Sequence, residues 1–555
     1  ANGSLSAINV SNIIVISSTG SISIKGNGNV SNLHGSPLWT IHFDDLKASA
    51  DGLAFIAKNL QGKRITIPDE IVRMGNIHFK GDIGGQGGSV NGRGVLNTDA
   101  GNASLDVALK GKAFKGVVRS DGFNLARILN DNTFGRVEAN ISAEGTIPTK
   151  VMAKGYIPLF DYSGHTYHNI DVDGVYDNGN ISGNIALDDP NGQLDLEGTV
   201  LLAEKTPKIN LTASVHHLNP AALNLTDGLG NRVFDFEAQV DIAGKSLEYS
   251  KGYVNIDNFL MNDGSRLFSL NNLHIDTGYQ DEEHYVDLTS DFGNVLIRGE
   301  YDYKSLPQSF INLIGSRLPS LPGLPKTTNK STNNFAIIAN IQDASFAQQL
   351  LNIPVTLYQP LHLKGFMNDK EHLFEADVEI PDFSYDNNRF TEGRVHMITR
   401  GEALVSSAYI NKVFDDNRLM TLDIEATAID NKLKTNIYWD AHQAKPLQGV
   451  LNAETEFFKN EDGHDAAHTR IHPSEVFIDN TKWDLHPSDI VYSDKQINID
   501  HFRLSNNKQH IIVSGLATKN PEDSIVVDLQ NVDVGYVLDL VNFTSVSFDG
   551  YASGH

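Results

Sequence analysis

Hydrophobic and polar residues alternate along most of this chain. The alternation has a period of two, which places every second side chain on the same face of a β-strand. The clearest runs are Leu105, Val107 and Leu109; Leu194, Leu196 and Val200; Ile209, Leu211 and Val215; Phe234, Phe236, Val240 and Ile242; and Val295 and Ile297, continuing through Gly299 to Tyr301 and Tyr303. The pattern predicts strands with one apolar face and one wet face.

Turn-forming residues separate these runs. Asn, Asp and Gly favour tight turns because they accept positive φ angles or bond to nearby backbone groups. Such signals occur at residues 177–180, 189–192, 262–264 and 387–388. Strands separated by turns at this spacing predict antiparallel meanders.

Helical patterns are short and few. The first covers Asp51–Leu60. The second covers Gln308–Leu318, whose apolar positions are Phe310, Ile311, Leu313, Ile314 and Leu318, and it ends in the proline-rich segment 318–322. Neither helix is long enough to cover an extended sheet.

One composite unit recurs along the chain. It consists of an alternating strand, a short apolar helix and a second strand that ends in glycine. The first copy has its helix at 123–129 and a second strand with Val137 and Ile141. The later helices are expected at 218–225, 346–351 and 534–540, and the closing glycines are Gly145, Gly244, Gly365 and Gly550. Four copies in order indicate a quasi-repeat.

The apolar faces must be buried by closed sandwiches, by a solenoid, or by one sheet that curls on itself. Sandwich domains are usually joined by polar linkers, and the sequence has only two candidate breaks, at 319–334 and 459–472. We therefore predict an all-β fold. It is an elongated, continuous β-sheet curled into a trough, with an apolar interior groove and a few short helices. The alternating residues, with Val137 and Ile141, line the groove, and helix 308–318 covers part of it.

Charge and composition limit the classes of binding partner that can be expected. The 555 residues carry a formal net charge of -25, so phosphate would be repelled and nucleic acid is not expected as a partner. The same acidity disfavours adhesion to an anionic membrane leaflet. The chain has no cysteine, which excludes disulfides and thiolate metal sites. It also has no run of about 18 apolar residues that would span a bilayer as a helix.

No catalytic signature emerges, and no cofactor or metal is predicted. Residues 26–31 begin like a dinucleotide-binding loop but lack its third glycine, so a turn is expected there. His464, His468 and His472 have a spacing that would suit a metal on a helix. They lie in a polar stretch before Pro473, which favours a solvated loop over a metal site. We predict a non-enzymatic protein.

An ordered set of segments resembles a known family. The segments are IPDEI (67–71), MGNIHFKG (74–81), GRGVLNTDAG (92–101), DVALKG (106–111), FNLARIL (123–129) and FGRV (134–137). In this order they resemble the TamB (translocation and assembly module) family, within the AsmA-like bridge lipid-transfer group. The similarity is strongest over residues 65–305, and elsewhere it lies in the repeat pattern alone.

The resemblance implies a β-taco fold that spans the periplasm from the inner membrane towards the outer membrane. It implies phospholipid as cargo, an Omp85-type outer-membrane barrel as partner, and a role in outer-membrane biogenesis. Nascent outer-membrane proteins are a further possible partner. The chain departs from the family in lacking an N-terminal anchor helix and the family's C-terminal domain, so we expect it to be a piece of a longer protein.

These observations give three functional hypotheses. The first is a bridge whose hydrophobic groove conducts phospholipid between the two membranes. The second is a scaffold or chaperone for outer-membrane protein assembly, and the third is an extracellular β-rich adhesin. We divide the chain into N-terminal strands with a short helix (1–64), a TamB-like β-taco segment (65–305), an amphipathic helix with a proline-rich linker (306–334), and a further β-taco segment (335–555).

Overall fold

The computed structural model describes residues 2–555 except 5, 18–19, 55–66, 247–248, 326–329, 351, 416, 444–445, 479, 494 and 534–549. The chain divides into two compact units. The first unit extends to Lys245 and includes Ser250–His274, and the second comprises Ser246–Tyr249 and Ile275–His555. This division falls inside the predicted 65–305 segment, where the sequence shows no shift in composition.

The first unit is an antiparallel sheet in which each strand pairs with its neighbours along the chain. Its strands are β1 (Asn2–Ser4), β2 (Ala7–Ile16), β3 (Ile22–Ser31), β4 (Leu38–Ala48), β5 (Ile77–Gln86), β6 (Ser89–Thr98), β7 (Gly101–Lys110), β8 (Ala113–Asn124), β9 (Phe134–Thr146), β10 (Lys150–Tyr162), β11 (His165–Asp177), β12 (Asn180–Asp189), β13 (Gly192–Leu201), β14 (Lys208–Leu218), β15 (Val233–Ala243) and β16 (Lys251–Asn262). The next strand, β17 (Leu267–Gln280), begins in this unit and ends in the second.

The second unit is also an antiparallel sheet built mainly from neighbouring strands. Its strands are β18 (Glu283–Ser290), β19 (Gly293–Glu300), β20 (Asn334–Ile341), β21 (Val355–Leu357), β22 (Leu361–Asn368), β23 (Leu373–Tyr385), β24 (Asn388–Arg400), β25 (Ala403–Val413), β26 (Leu419–Ile429), β27 (Lys432–Asp440), β28 (Leu447–Lys459), β29 (Asp465–Ile471), β30 (Ser474–Ile478), β31 (Thr481–Leu485), β32 (Ser488–Ser493), β33 (Gln496–Asn506), β34 (Gln509–Ala517), β35 (Ile525–Asp533) and β36 (Tyr551–Gly554). Some pairings skip one strand in the order of the chain, such as β21 with β23 and β28 with β30.

Helices are short and lie in the connections. They are α1 (Asp69–Arg73), α2 (Leu125–Leu129), α3 (Leu306–Arg317) and α4 (Ser345–Leu350). Asn124 caps α2 because its side-chain oxygen accepts from the Arg127 backbone N–H at 3.1 Å. Pro307 lies in the first turn of α3, where its missing N–H costs no hydrogen bond, and Pro319 follows the helix end.

The all-β fold class, with its long antiparallel sheet and few short helices, is confirmed. The turns predicted at 177–180, 189–192, 262–264 and 387–388 each lie where one strand ends and the next begins. The helices predicted at 123–129, 308–318 and 346–351 are present as α2, α3 and α4, although residues 123–124 belong to β8 and residue 351 lies outside the described residues. Of the helix predicted at 51–60, residues 51–54 are helical and the others lie outside the described residues, as does the helix predicted at 534–540.

Several local predictions were wrong. Residues 26–31 lie inside β3 rather than in a turn. Their two glycines are paired with residues of β2, as ordinary strand residues would be. The helix predicted at 218–225 is replaced by the end of β14 at Leu218 and by consecutive turns over 220–224, where Asn224 has a positive φ of 52°. Strand β19 ends at Glu300, so Tyr301 and Tyr303 lie beyond it; the Tyr301 ring packs against Phe335 with centroids 5.9 Å apart.

Candidate functional site: the apolar face of the sheet

Strand register places the predicted groove residues of the first unit on one face. Directly opposed residues of antiparallel strands point to the same side of a sheet. Leu194 lies opposite Val215, and Leu196 lies opposite Ala213. The other pairs that define this face are Leu105 with Val118, Val118 with Ile141, Val137 with Phe123, Val107 with Gly116, Leu109 with Phe114, Val200 with Ile209, Leu211 with Val240, Val215 with Phe236, Ile209 with Ile242, and Phe234 with Met261.

We call this surface the apolar face of the first unit. Of the fifteen predicted residues on it, only Val215 and Phe234 are buried. Leu109 and Ile209 are 49% and 39% exposed, and the others are half-buried. The inner face of a closed sandwich would be buried throughout. The apolar face therefore remains accessible along the sheet, whereas the polar residues between its positions, such as Asp195 and Gln239, are exposed on the opposite face.

The second unit repeats this arrangement. Val295 lies opposite Ala339, and Ile297 lies opposite Ile337, which in turn lies opposite Gly365. Val295 and Ile297 are half-buried. The two predicted residues of this unit thus lie on a common face, like those of the first.

One edge of the first unit is covered. We call it the closed edge: it is the edge at which β8 ends and β9 begins, and α1, α2 and residues 219–225 lie along it. The Tyr167 hydroxyl donates to the Leu223 carbonyl at 2.7 Å, and the Leu223 side chain is fully buried. Arg73 donates to the Ile128 carbonyl at 2.6 Å, which holds α1 against α2. The buried residues Ile22, Ile77, Phe79, Val215, Phe234, Met261 and Phe268 lie on the side of the sheet near this edge.

A buried carboxylate fastens the closed edge. The Asp189 side chain has no exposed surface and accepts hydrogen bonds from the Asn191 and His168 backbone N–H groups at 2.9 and 3.1 Å. The rings of His165 and His168 lie 3.3 and 3.2 Å from it. Burial works against ionisation, but the hydrogen bonds from Asn191, His168 and His165 outweigh it and hold the pKa of Asp189 below its ordinary value. The carboxylate is thus a structural anchor.

The opposite edge of the first unit is open. We use the name open edge for the edge at which β7 ends and β8 begins. Apolar side chains at the strand ends there are exposed: Val90, Leu109, Tyr176, Ile181 and Ile209. The apolar face therefore has one covered side and one side in contact with solvent.

Helix α3 covers part of the apolar face in the second unit, where sequence analysis predicted a covering helix. Leu313 and Leu318 are each 5% exposed and belong to one cluster with Met367, Phe374, Leu404, Ala428, Phe457 and Ala467. Each strand residue of this α3 cluster lies within three positions of a strand end, at the edge where β22 ends and β23 begins. The Phe310 ring meets Phe374 edge to face at 5.4 Å, and Ile311 and Ile314 are half-buried.

Polar contacts that the sequence did not reveal hold α3 in place. Ser309 donates to Asp369 at 2.7 Å, and the Asn333 backbone N–H donates to the same carboxylate oxygen at 2.8 Å. The Asn333 amide donates to Ser309 Oγ at 2.7 Å and accepts from the Asp302 backbone N–H at 2.7 Å. Ser309 and Asn333 are each 1% exposed, so these bonds form without competition from water.

We expect Leu313→Ala to loosen α3. Deleting a buried leucine side chain costs about 2–5 kcal/mol. Hydrogen exchange of residues 306–317 should therefore become at least tenfold faster. The matched control is Leu373→Ala, the same change at a side chain that is 38% exposed. Equal exchange rates in the two variants would show that the α3 cluster does not hold the helix.

Opposed glycines on the apolar face were also missed. Gly174 and Gly183 face each other, as do Gly81 and Gly94. Gly183 has φ +143°, and a Cβ there would lie 2.1 Å from the Asp173 carbonyl oxygen and 2.6 Å from Gly174 Cα. Glycine in a strand marks such a bend or close backbone approach. At Gly183, Gly81 and Gly94 the neighbouring strand approaches more closely than a side chain would permit, whereas a Cβ on Gly174 would meet its nearest atom at 3.5 Å.

The solvated loop predicted for the histidines with metal-like spacing is wrong for His468, which lies in a strand; His464 and His472 flank that strand. His468 belongs to β29, and its ring lies 2.6 Å from Asp489 Oδ1. Four residues along a strand span about 13 Å, which is too far for His464 and His468 to share a metal. Within the described part of the chain, no group of three or more His, Asp or Glu side chains is placed to hold a metal ion.

Comparison with known proteins gives no relative: no family model, curated protein or solved structure matches this chain. In the described ranges, no helix has both the length and the apolar character that a membrane crossing requires.

Proposed function

We propose that this protein carries phospholipid along the apolar face of its sheet, as a periplasmic bridge between the inner and outer membranes. The observation that supports this most directly is the accessible apolar face. Large apolar surfaces left uncovered in a folded protein generally mark binding sites for apolar ligands, partners or membranes. In this proposal the occupant is an acyl chain.

The chemistry of the face suits transport. Burial of each acyl methylene is worth about 0.8 kcal/mol, so affinity accumulates evenly along a chain rather than at one site. Because no single site binds much more tightly than the others, a lipid can move along the face without being held at one position. The predicted positions on the face are all apolar, and charged groups such as Asp195, Glu197 and Asp241 lie on the opposite face.

The two edges of the first unit fit the two ends of a lipid. The closed edge shields acyl chains from water, and the open edge gives a headgroup access to solvent. An unpaired polar group pressed against apolar side chains would cost a few kcal/mol, so the headgroup is expected at the open edge.

The resemblance to the TamB family supports the same proposal. On that basis we propose a periplasmic location, an Omp85-type barrel as outer-membrane partner and a role in outer-membrane biogenesis. The second hypothesis, a scaffold for nascent outer-membrane proteins, would use the same face with a polypeptide as occupant.

Site-specific photo-crosslinking tests the proposal. A photoreactive amino acid replaces Leu211 on the apolar face, and in the control it replaces the neighbouring exposed Thr212 on the polar face. In growing cells, we expect phospholipid adducts at Leu211, identified by mass spectrometry, and few at Thr212. Polypeptide adducts at Leu211 would favour the scaffold, and equal lipid labelling at both positions would refute transport along the face.

A further inference from the structure

Lysines concentrate at the open edge of the first unit. The connections and strand ends from β7 to β16 at this edge contain seven lysines: Lys110, Lys112, Lys150, Lys205, Lys208, Lys245 and Lys251. All seven are exposed. At the closed edge, the connections that follow β6, β8, β10, β12, β14 and β16 contain no lysine. Among these connections lysine is therefore confined to the open edge. The closed-edge connections carry Arg127, Arg232 and Arg266 as cations, and five aspartates there, counting the one at the end of β12, outnumber them: Asp99, Asp131, Asp189, Asp227 and Asp263.

The open-edge connections from β7 to β16, with the strand residues that border them, contain three carboxylates against the seven lysines: Asp177, Glu204 and Glu248. Asp177 lies 3.5 Å from Lys150, and Glu204 lies 3.5 Å from Lys208. The other five lysines form no ion pair among the described residues. The local balance is thus positive in a chain whose net charge is -25.

Exposed apolar side chains stand between the lysines. Ile147, in the β9–β10 turn, is 58% exposed, and Leu202, in the β13–β14 connection, is 57% exposed. Leu109, Ile181 and Ile209 add exposed apolar surface at the adjoining strand ends. Lysines interleaved with exposed aliphatic side chains are the composition of surfaces that lie at a membrane interface.

We propose that this lysine rim, the open-edge connections between β7 and β16, docks on the surface of an anionic phospholipid membrane. Eight strand spacings separate its first and last turns, which gives a length on the order of 40 Å. Its lysines would bind lipid phosphates, while Ile147 and Leu202 enter the headgroup region.

The negative net charge does not oppose this docking. Salt screens charges beyond about 8 Å at physiological ionic strength. A strand of ten residues spans about 33 Å, so the acidic groups of the closed edge act weakly at the rim. Local charge, not net charge, therefore decides the interaction. The inference rests on charge and exposure at the edge and does not require that the apolar face carry lipid.

Vesicle co-sedimentation of the purified chain tests the inference. We expect binding to mixed phosphatidylcholine–phosphatidylglycerol vesicles, weak binding to phosphatidylcholine alone, and weaker binding as NaCl is raised. Each lysine near an anionic surface contributes about fivefold to affinity. The double variant Lys112→Gln/Lys205→Gln should therefore bind the anionic vesicles about 25-fold less tightly.

The matched control is Lys25→Gln/Lys80→Gln, which removes the same charge from exposed positions within β3 and β5. It should change affinity less than about twofold. The rim is excluded as a docking surface if the wild type ignores anionic vesicles, if it binds neutral vesicles equally well, or if both double variants lose the same affinity. Photo-crosslinking at Leu211 in the rim variant separates the two proposals, because lipid adducts there persist if only docking is lost.

Discussion

Gly183→Ala is expected to destabilise the region β11–β13 by about 3 kcal/mol. The new Cβ would lie 2.1 Å from the Asp173 carbonyl oxygen, and alanine would have to adopt φ +143°. Backbone and neighbouring strand must both move, because the clashing atom belongs to the main chain. Hydrogen exchange of β11, β12 and β13 measures this loss locally, without assuming that the whole chain unfolds in one step.

The control for this variant is its cross-strand partner. A Cβ on Gly174 would have its nearest neighbour, the Ser182 carbonyl oxygen, at 3.5 Å, and Gly174 does not have a positive φ. Gly174→Ala should change stability by less than about 1 kcal/mol. Similar protection in the two variants would mean that the close approach at Gly183 is not required by the fold.

Val240→Asp is expected to block lipid passage while leaving the chain folded. Val240 is half-buried on the apolar face, opposite Leu211 and Val254. In a closed core the charge would cost several kcal/mol, because it would be buried without a partner. On an accessible face the carboxylate reaches water, so we expect a loss of about 1–2 kcal/mol. Acyl chains would nevertheless have to pass a hydrated charge. Ile297→Glu should act in the same way in the second unit.

Two measurements on the full-length protein decide this prediction. Thermal unfolding reports the fold, and resistance of cells to large antibiotics reports outer-membrane integrity. The control is Gln239→Glu, which adds a charge at the adjacent exposed position on the polar face. A folded Val240→Asp protein that supports normal integrity would contradict lipid transport. Wholesale unfolding would indicate that Val240 lies in a closed core.

Short-range patterns made the fold predictable. Period-two alternation is a local property of each strand's sequence. The sequence alone therefore predicted that Leu194, Leu196, Ile209 and Leu211 lie on one face. Helix α3 was also predicted closely, because its apolar spacing and the following Pro319 are local signals. The presence of a covering helix could thus be inferred before any contact was known.

Long-range contacts were not predictable. Ser309 and Asp369 are 60 positions apart, and nothing in either segment indicates the hydrogen bond between them. Glycine inside a strand was mistaken for a turn at residues 26–31, because its role depends on how close the neighbouring strand lies. The lysine rim was not predicted, because the net charge of the chain is negative. Its lysines come from separate connections, which lie along one edge only in the folded sheet.

Pairing between consecutive strands also bears on how the protein is made. Each strand of the first unit finds its partner in the segment synthesised immediately before it. Contacts that are close in sequence form quickly, because little chain entropy is lost in closing a short loop. The sheet can therefore lengthen strand by strand while the chain is still being synthesised. Its growing end offers a free hydrogen-bonding edge only until the next strand arrives, which shortens the exposure of each edge to aggregation.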